Sequence, residues 1–227
     1  MKQSVAILWM VYLLSGCAEL GIRSSVSTEK VAAIRTVAVA STLGKQFHGK
    51  LTGTTVFNNK QYDADVSNWN VDGAAIDVAT SELKKNNGWS VKPLYGSFTQ
   101  SEQVLSAARA VGADTVVVIQ ASKYDNEPHI PAGYGYSKRS FMGLSKECIY
   151  SLFIVEAYTV KSSKRMGWQW GFPSFSGVPC YGASRGIPFK EDWSEYSEAE
   201  RSGLKDAVLE SVRTNVLTGI RALKLMQ

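Results

Sequence analysis

The feature that most constrains the fold is residues 115–121 (TVVVIQA), which contain four consecutive apolar residues, Val116 to Ile119. A short apolar run of this kind is typical of a strand buried within a sheet that is covered on its faces. The segments on either side alternate between strand and helix patterns, which favours an α/β arrangement. The chain is therefore expected to form a mixed sheet covered by helices.

Other segments have the composition and period of strands. The pair on either side of Asn58-Asn59 predicts a β-hairpin, since Asn tolerates the backbone that tight turns need. A second hairpin is predicted toward the C-terminus. The predicted strands are residues 34–41, 54–57, 60–66, 89–95, 148–160 and 165–170.

Three segments have helical spacing. Asp72 can cap a helix that runs to about Asn86, and residues 99–102 have the spacing of a capping box before a helix that ends at Gly112. A second capping-box pattern begins at Ser197, ahead of a long apolar stripe. The predicted fold class is α/β: a mixed sheet with an added β-hairpin, two shorter helices and a long C-terminal helix packed on the sheet.

The VAV pattern of the first strand, the junction of residues 112–119 and the closing helix together resemble the periplasmic α/β domains of three bacterial groups. These are the curli-secretion lipoprotein, the N-terminal domain of the Tol-system propeller protein, and the outer-membrane activator lipoproteins of peptidoglycan synthases. The resemblance spans most of residues 31–225 and implies a periplasmic fold. It implies no activity, because one fold supports many functions.

The N-terminus has the pattern of an export signal. Lys2 precedes an apolar run, residues 5–14, that is too short to cross a bilayer, which takes about 20 residues. The four residues at the end of this run, Leu14-Ser15-Gly16-Cys17, resemble a bacterial lipobox. That resemblance implies cleavage before Cys17 and lipidation of Cys17. With Ala at position 18, it also implies export to the periplasmic face of the outer membrane rather than retention at the inner membrane.

These signals predict three parts of the chain: a signal peptide, residues 1–16; a lipidated cysteine with a flexible tether, residues 17–30; and one periplasmic α/β domain, residues 31–227. The formal net charge is +5 and becomes +4 when Lys2 leaves with the signal. The basic residues are spread along the chain. We therefore expect no nucleic-acid partner, and a mildly basic surface.

Two cysteines remain after Cys17. Cys148 precedes a predicted strand, and Cys180 lies in a segment rich in Gly and Pro. In an oxidising compartment such a pair is expected to form a disulfide, which would join that segment to the sheet. The spacing of Cys and His residues predicts no metal site, and no cofactor is expected.

Two long segments, residues 124–147 and 171–193, are predicted as loops that carry aromatic and basic side chains. Loops of more than about 12–15 residues are usually functional or disordered. Aromatic and Arg side chains are enriched at recognition surfaces, so a partner-binding role is one reading. The alternative is that the aromatics pack back onto the sheet as a minor core. The candidate residues are Tyr124, Tyr134, Tyr136, Lys138, Arg139, Phe141, Phe175, Tyr181 and Arg185.

Trp168 and Trp170 lie on one face of their strand and are expected to pack beneath a helix, with an exposed stacking platform as the alternative. His48 and His129 lie in no catalytic motif. Three nearby carboxylates, Asp63, Asp65 and Asp72, are expected to be solvated rather than to bind a cation.

The function predicted from the sequence is a non-catalytic, membrane-anchored lipoprotein that binds an envelope protein as an accessory or assembly factor. The alternative is a module that binds a glycan or lipid of the cell envelope. A hydrolase is the third reading, and no motif supports it.

Overall fold

The computed structural model describes residues 23–86, 88–124, 129–142, 144–172 and 186–225, with only the backbone of Val56 and Phe141. The predicted fold class is confirmed: a mixed sheet, shorter helices and a long C-terminal helix packed on the sheet. No helix in the described ranges is long and apolar enough to cross a membrane. The residues with predicted roles that lie outside those ranges are Cys17, Phe175, Cys180, Tyr181 and Arg185.

In the described part of the chain, eight strands form one sheet in the order β3-β2-β6-β7-β5-β1-β4, with β8 paired to β7. The strands are β1 (Thr36–Thr42), β2 (Gln46–Thr52), β3 (Lys60–Asp65), β4 (Ser90–Pro93), β5 (Thr115–Ala121), β6 (Gly133–Phe141), β7 (Leu144–Thr159) and β8 (Lys164–Trp170).

Strand β7 is the central strand of the sheet, and it pairs along its whole length. Its first half pairs antiparallel with β6, and its second half pairs antiparallel with β5 and β8. Strand β1 pairs in parallel with β5, and β2, which follows β1 in the chain, pairs in parallel with β6. The sheet is thus long in the strand direction, and the turns after β2 and β6 lie at one end of it.

Asp72 fixes the break between β1 and β2. Its carboxylate accepts hydrogen bonds from Ser41 Oγ at 2.6 Å, from the Leu43 amide at 2.8 Å and from the Gly44 amide at 3.2 Å. Gly44 has a φ of +83°, which glycine adopts without strain. The predicted role of Asp72 as a helix cap and its predicted solvation are both wrong, because the N-cap is Asn70 and the carboxylate binds the strand break.

Within the described ranges, four helices cover the sheet: α1 (Thr28–Ala33), α2 (Val71–Leu83), α3 (Ser101–Ala110) and α4 (Glu198–Ala222). The capping box at the start of α4 is confirmed, since Ser197 and Glu200 exchange both hydrogen bonds. The capping box predicted for α3 is wrong: its N-cap is Gln100, and the Thr99 amide instead donates to Gln103 Oε1 at 2.9 Å.

The core lies on both faces of the sheet, as the run of residues 115–121 predicted. Helices α2 and α4 cover one face, where Val117 and Ile119 of β5 are buried against the apolar stripe of α4. Helix α3 covers part of the other face, against Val116 and Val118. The strand period of two sends alternate residues of β5 into these two separate cores.

One strand prediction and one loop prediction are corrected by the structure. Residues 54–57 were predicted as a strand, but β3 pairs with β2, and Val56–Asn58 is a 3-10 turn between them. Residues 124–147 were predicted as one long loop, but they include β6 and the start of β7. In the first case β3 takes a strand partner, β2, that the sequence analysis did not predict. In the second case pairing with β2 and β7 makes a strand of residues predicted as a loop.

The ordered body begins before residue 31. Ser24 forms an antiparallel bridge with Trp168 of β8, and the Val26 amide donates to the Leu223 carbonyl at 2.9 Å. Helix α1 then leads into β1. Residues 24–30, predicted as tether, are therefore bound to the domain.

Candidate partner-binding surfaces

Tyr134 and Tyr136 were predicted on a loop, either as part of a partner-binding surface or packed back onto the sheet. The loop is wrong, and the packed alternative describes both side chains. Both lie on β6 and are fully buried in the core that α4 covers. Tyr134 Oη donates to the Gly44 carbonyl at 3.0 Å, and Tyr136 Oη lies 2.7 Å from Glu147 Oε2. Burial of this kind leaves neither side chain accessible to a partner. The alternation Gly-Tyr-Gly-Tyr over residues 133–136 has the strand period and was the signal for an inward face.

Tyr124 is also buried, in a separate aromatic cluster on the α3 side of the sheet. Its ring contacts Trp170 and Phe172, each with centroids 5.3 Å apart in edge-to-face geometry. Trp168 packs beside Trp170 at 6.2 Å. The two tryptophans were expected to pack beneath a helix. They pack in this cluster instead, which among the described residues contains no helix residue. The alternative reading of the first aromatic segment, a minor core on the sheet, describes Tyr124 correctly.

Lys138 and Arg139 remain at the surface, both half-buried. Lys138 Nζ lies 2.7 Å from Glu147 Oε1. Partial burial alone would raise the pKa of Glu147, but the hydrogen bonds from Lys138, Tyr136 and the Phe189 amide outweigh it and lower that pKa. Lys138 is therefore tied to the body of the protein. Among the predicted site residues whose side chains are described, those at the basic end of β6 are the ones that reach the surface.

Cys148 lies on β7 and is buried. Its predicted partner Cys180 lies outside the described residues, as does Cys17, so the disulfide and the lipid attachment stay predictions.

The polar residues near β3 have separate structural roles. His48 Nδ1 lies 2.7 Å from Asp63 Oδ1 across the β2–β3 pair. Asp65 accepts a hydrogen bond from the Ser67 amide at 2.8 Å, which lowers its pKa. Within the ranges that the structure describes, no group of His, Cys, Asp or Glu side chains is arranged to hold a metal ion.

A cleft of about 590 Å³ opens between the 3-10 turn Ser67–Trp69 and the first turns of α4. We call it the Trp cleft and define it by Asp65, Asn68, Trp69, Trp193, Arg201 and Lys205. The Trp69 and Trp193 rings lie 5.9 Å apart. Phe47 of β2 supports both rings from the core, at 5.5 Å and 5.3 Å. The floor of the cleft is therefore aromatic and rigidly backed.

Arg201 forms one wall of the Trp cleft. Its guanidinium lies 5.2 Å from the centre of the Trp193 ring, and Nη2 donates to the Trp193 carbonyl at 3.1 Å. Its Nε is buried and has no hydrogen-bond partner among the described residues. An unpaired buried donor costs about 1–3 kcal/mol. The sequence analysis missed Arg201 and Lys205, because their positions in a helix do not indicate which distant residues they face across the cleft.

The segment that carries Trp193 is fixed by a capping hydrogen bond and an ion pair. Asp192 accepts a hydrogen bond from the Ser194 amide at 2.7 Å and so caps the 3-10 turn Trp193–Glu195. Lys190 Nζ donates to Glu200 Oε2 at 2.7 Å. This bond is the main cause of the lowered pKa of Glu200, which is about 2, and bonds from Ser197 add to it. Trp193 is therefore held in place before any ligand binds.

A second surface lies at the end of the sheet, where the β2–β3 connection meets the β6–β7 turn. Thr54 joins the two, since its hydroxyl donates to the Ser140 carbonyl and accepts from the Met142 amide, both at 3.4 Å. Large apolar side chains are exposed here: Phe57 by 90%, Met142 by 77% and Leu144 by 78%. We call this surface the hairpin end. The sequence analysis did not select these residues, since exposure at a turn depends on which strands pair.

No protein-family profile and no curated protein matches the chain. Solved structures match it at low identity. The PelC dodecamer from Paraburkholderia phytofirmans matches at 12% identity and a TM-score of 0.38, over 91% of this chain and 97% of that chain. A single-residue variant of the same dodecamer matches at 10% identity and a TM-score of 0.29, over 85% of this chain and 92% of that chain.

The C-terminal domain of LpoB from Salmonella enterica matches at 11% identity and a TM-score of 0.23, over 66% of this chain and 82% of that chain. At these identities and TM-scores, the likenesses assign neither an activity nor a partner to this chain.

Proposed function

We propose that the protein is a non-catalytic, lipid-anchored accessory factor of the cell envelope that binds an envelope protein in its Trp cleft. The observation that carries the proposal is Arg201, whose buried Nε lacks an acceptor among the described residues while its guanidinium lies over Trp193. Trp and Arg dominate the binding energy of protein interfaces, above all in preformed pockets. An acceptor on the partner, such as a backbone carbonyl or a carboxylate, would complete the hydrogen bonds of Arg201.

The position of the cleft supports this assignment. The chain enters the domain at Ser24, which pairs with β8 at one edge of this part of the sheet. The Trp cleft adjoins β3, the strand at the opposite edge. If Cys17 carries the lipid, the six residues between Cys17 and Ser24 let the chain reach at most about 25 Å. A body held this close to the periplasmic face of the outer membrane would still leave the β3 edge open to a partner.

A photo-reactive amino acid at Asn68, which is exposed at the rim of the cleft, tests the proposal in living cells. The same group at Glu102, on α3 and the other face of the sheet, is the control position. We expect one abundant envelope protein to crosslink at Asn68 and not at Glu102. Equal yields at the two positions would contradict the cleft as the contact site.

Substitutions of Arg201 and Lys205 then test whether these basic side chains of the Trp cleft bind the partner. Arg201→Lys keeps the charge but removes Nε, and the loss of a contact of this class lowers affinity about 30-fold. Lys205→Glu should also weaken capture, whereas Lys84→Glu, at an exposed position after α2, should not. Wild-type capture by both cleft variants would contradict the proposal.

A glycan is the second candidate ligand for the same cleft, because sugar rings also stack on tryptophan and bind through polar rims. The structural support is the Trp69–Trp193 floor with Asp65, Asn68 and Arg201 around it. Retention of the purified protein on peptidoglycan or lipopolysaccharide, lost in Arg201→Lys, would favour the glycan. Absence of any such retention would leave the protein partner as the proposal.

A further inference from the structure

We propose that the hairpin end inserts into the surface of an anionic lipid bilayer, as a second membrane contact beside the lipid on Cys17. The contact would orient the domain on the membrane. This inference rests on the proposed function, since it assumes that the body is held at a membrane.

The first argument is the exposure of the apolar side chains. Phe57, Met142 and Leu144 project from two neighbouring turns and are 77–90% exposed. In the described ranges the only other large apolar residue of comparable exposure is Tyr95, at 63%, whose hydroxyl donates to Asp77. Apolar side chains clustered on a convex end match the interfacial region of a bilayer, where binding grows with buried apolar area.

The second argument is charge. The strand residues next to the turns include four cations, Lys60, Lys138, Arg139 and Lys146, and Arg139 lies directly across from Lys146 in the β6–β7 pair. Two carboxylates balance part of this charge, Glu147 near Lys138 and Glu191 near Lys60. Four positive charges less two negative charges leave a formal +2 on these described residues. Lysine is depleted in protein interfaces, whereas basic residues next to an apolar tip attract anionic headgroups.

The third argument is the direction of the chain at Ser24. Because Ser24 bridges antiparallel to Trp168, the backbone at Ser24 comes from the side of the sheet where the hairpin end lies. Trp168 pairs with Glu156, which is twelve residues from Leu144 along β7, or about 40 Å. The chain from Ser24 to Cys17 reaches about 25 Å, and the hairpin end lies about 40 Å from Ser24 along β7. Both Cys17 and the hairpin end can therefore meet one membrane if the angle between β7 and the membrane plane is less than about 40°.

The test uses the lipidated protein in vesicles, with a polarity-sensitive fluorophore on Leu144→Cys and lipids that carry a quencher at known depth. The matched control is the same label on Tyr95→Cys, an exposed position away from the hairpin end. Vesicles of phosphatidylethanolamine with phosphatidylglycerol are compared with vesicles of phosphatidylcholine alone. We expect the label at position 144, and not at position 95, to be quenched, and more strongly in the anionic vesicles.

Two variants separate the apolar and ionic contributions. Replacing Phe57 and Met142 with Ser should abolish the quenching at position 144 while the protein stays on the vesicles through Cys17. Lys146→Gln should lower the ratio of inserted to free hairpin end roughly fivefold. Equal exposure to water at positions 144 and 95 would overturn the inference. Shielding of position 144 by added envelope proteins but not by lipid would overturn it in favour of protein docking.

The mass of the intact protein, measured first, distinguishes a failure of the proposed function from a failure of this inference. A chain without lipid on Cys17 would contradict the proposed anchor. The hairpin end of that chain is then tested by the same quenching at saturating vesicle concentration, where insertion supports the inference and its absence overturns it.

Discussion

Tyr136→Phe removes one hydroxyl from the core and leaves the ring in place. Tyr136 Oη lies 2.7 Å from Glu147 Oε2 and 2.8 Å from the Ile187 carbonyl, and the side chain is fully buried. A hydrogen bond to a charged group contributes about 1.5–3 kcal/mol, so we expect the free energy of unfolding to fall by that amount. Tyr136→Ala also removes the ring and should cost about 3–5 kcal/mol or more.

The effect should depend on pH in one direction. The folded-state pKa of Glu147 lies below its ordinary value of 4.5, so the stabilisation is present above that value and is lost as the pH falls through the folded pKa. Tyr136 contributes one of the hydrogen bonds that lower this pKa. The difference between wild type and Tyr136→Phe should therefore shrink as the pH falls from neutral to below 4.5 and through the folded-state pKa.

Urea denaturation of the two proteins across this pH range measures both quantities. The control is Tyr95→Phe, where the ring is 63% exposed and a change within about 0.5 kcal/mol is expected. The reasoning would be refuted if Tyr136→Phe matched this control, or if Tyr136→Ala folded with normal stability. The second result would favour the partner-binding reading of Tyr136 over the packed one.

Three further substitutions test the packing that holds the two surfaces in place, each by denaturant unfolding. Asn215→Ala removes the amide that donates to Ser151 O at 3.1 Å and to Ser151 Oγ at 2.8 Å. The free energy of unfolding should fall by about 2–4 kcal/mol, because buried acceptors are left unpaired. Unchanged stability would argue against the packing of α4 on β7 at this position. Ser197→Ala removes the cap of α4 and should cost about 1 kcal/mol, with Ser197→Asp close to wild type; equal losses in both would contradict a capping role. Gly49→Ala would place a Cβ 2.1 Å from the Tyr62 ring, so we expect about 1–3 kcal/mol of destabilisation and a shifted β2–β3 hairpin; unchanged stability would mean that the ring moves freely.

The segment predicted for recognition at the basic end of β6 has some of its residues at the surface and others in the core. The sequence analysis selected Tyr134, Tyr136, Lys138 and Arg139 together because they are close in the chain and of the types that bind partners. Pairing with β2 and β7 turns the two tyrosines into the core and leaves the two cations at the surface. Composition indicated a recognition segment, but the strand period separates its members onto different faces.

Neither candidate surface could be assembled from the sequence. In the Trp cleft, Trp69 and Trp193 are 124 positions apart in the chain, and only the packing of α4 across the sheet places Arg201 against the Trp193 ring. The hairpin end joins residues of the β2–β3 and β6–β7 connections, which meet because β2 and β6 pair in parallel. Such contacts depend on strand register, which local patterns do not specify.

The sequence by itself determined the fold class, the buried strand β5, and the long helix α4 with its capping box, because hydrophobic period and capping chemistry are local properties. It also carries the pattern that indicates an anchor, the lipobox at Cys17. The tertiary structure alone decided that the tyrosines of β6 are buried, that Asp72 fixes the β1–β2 break, and that Arg201 Nε has no hydrogen-bond partner among the described residues. The physical reason is that burial and hydrogen-bond partners are set by residues distant in the chain, and only the packed sheet brings those residues together.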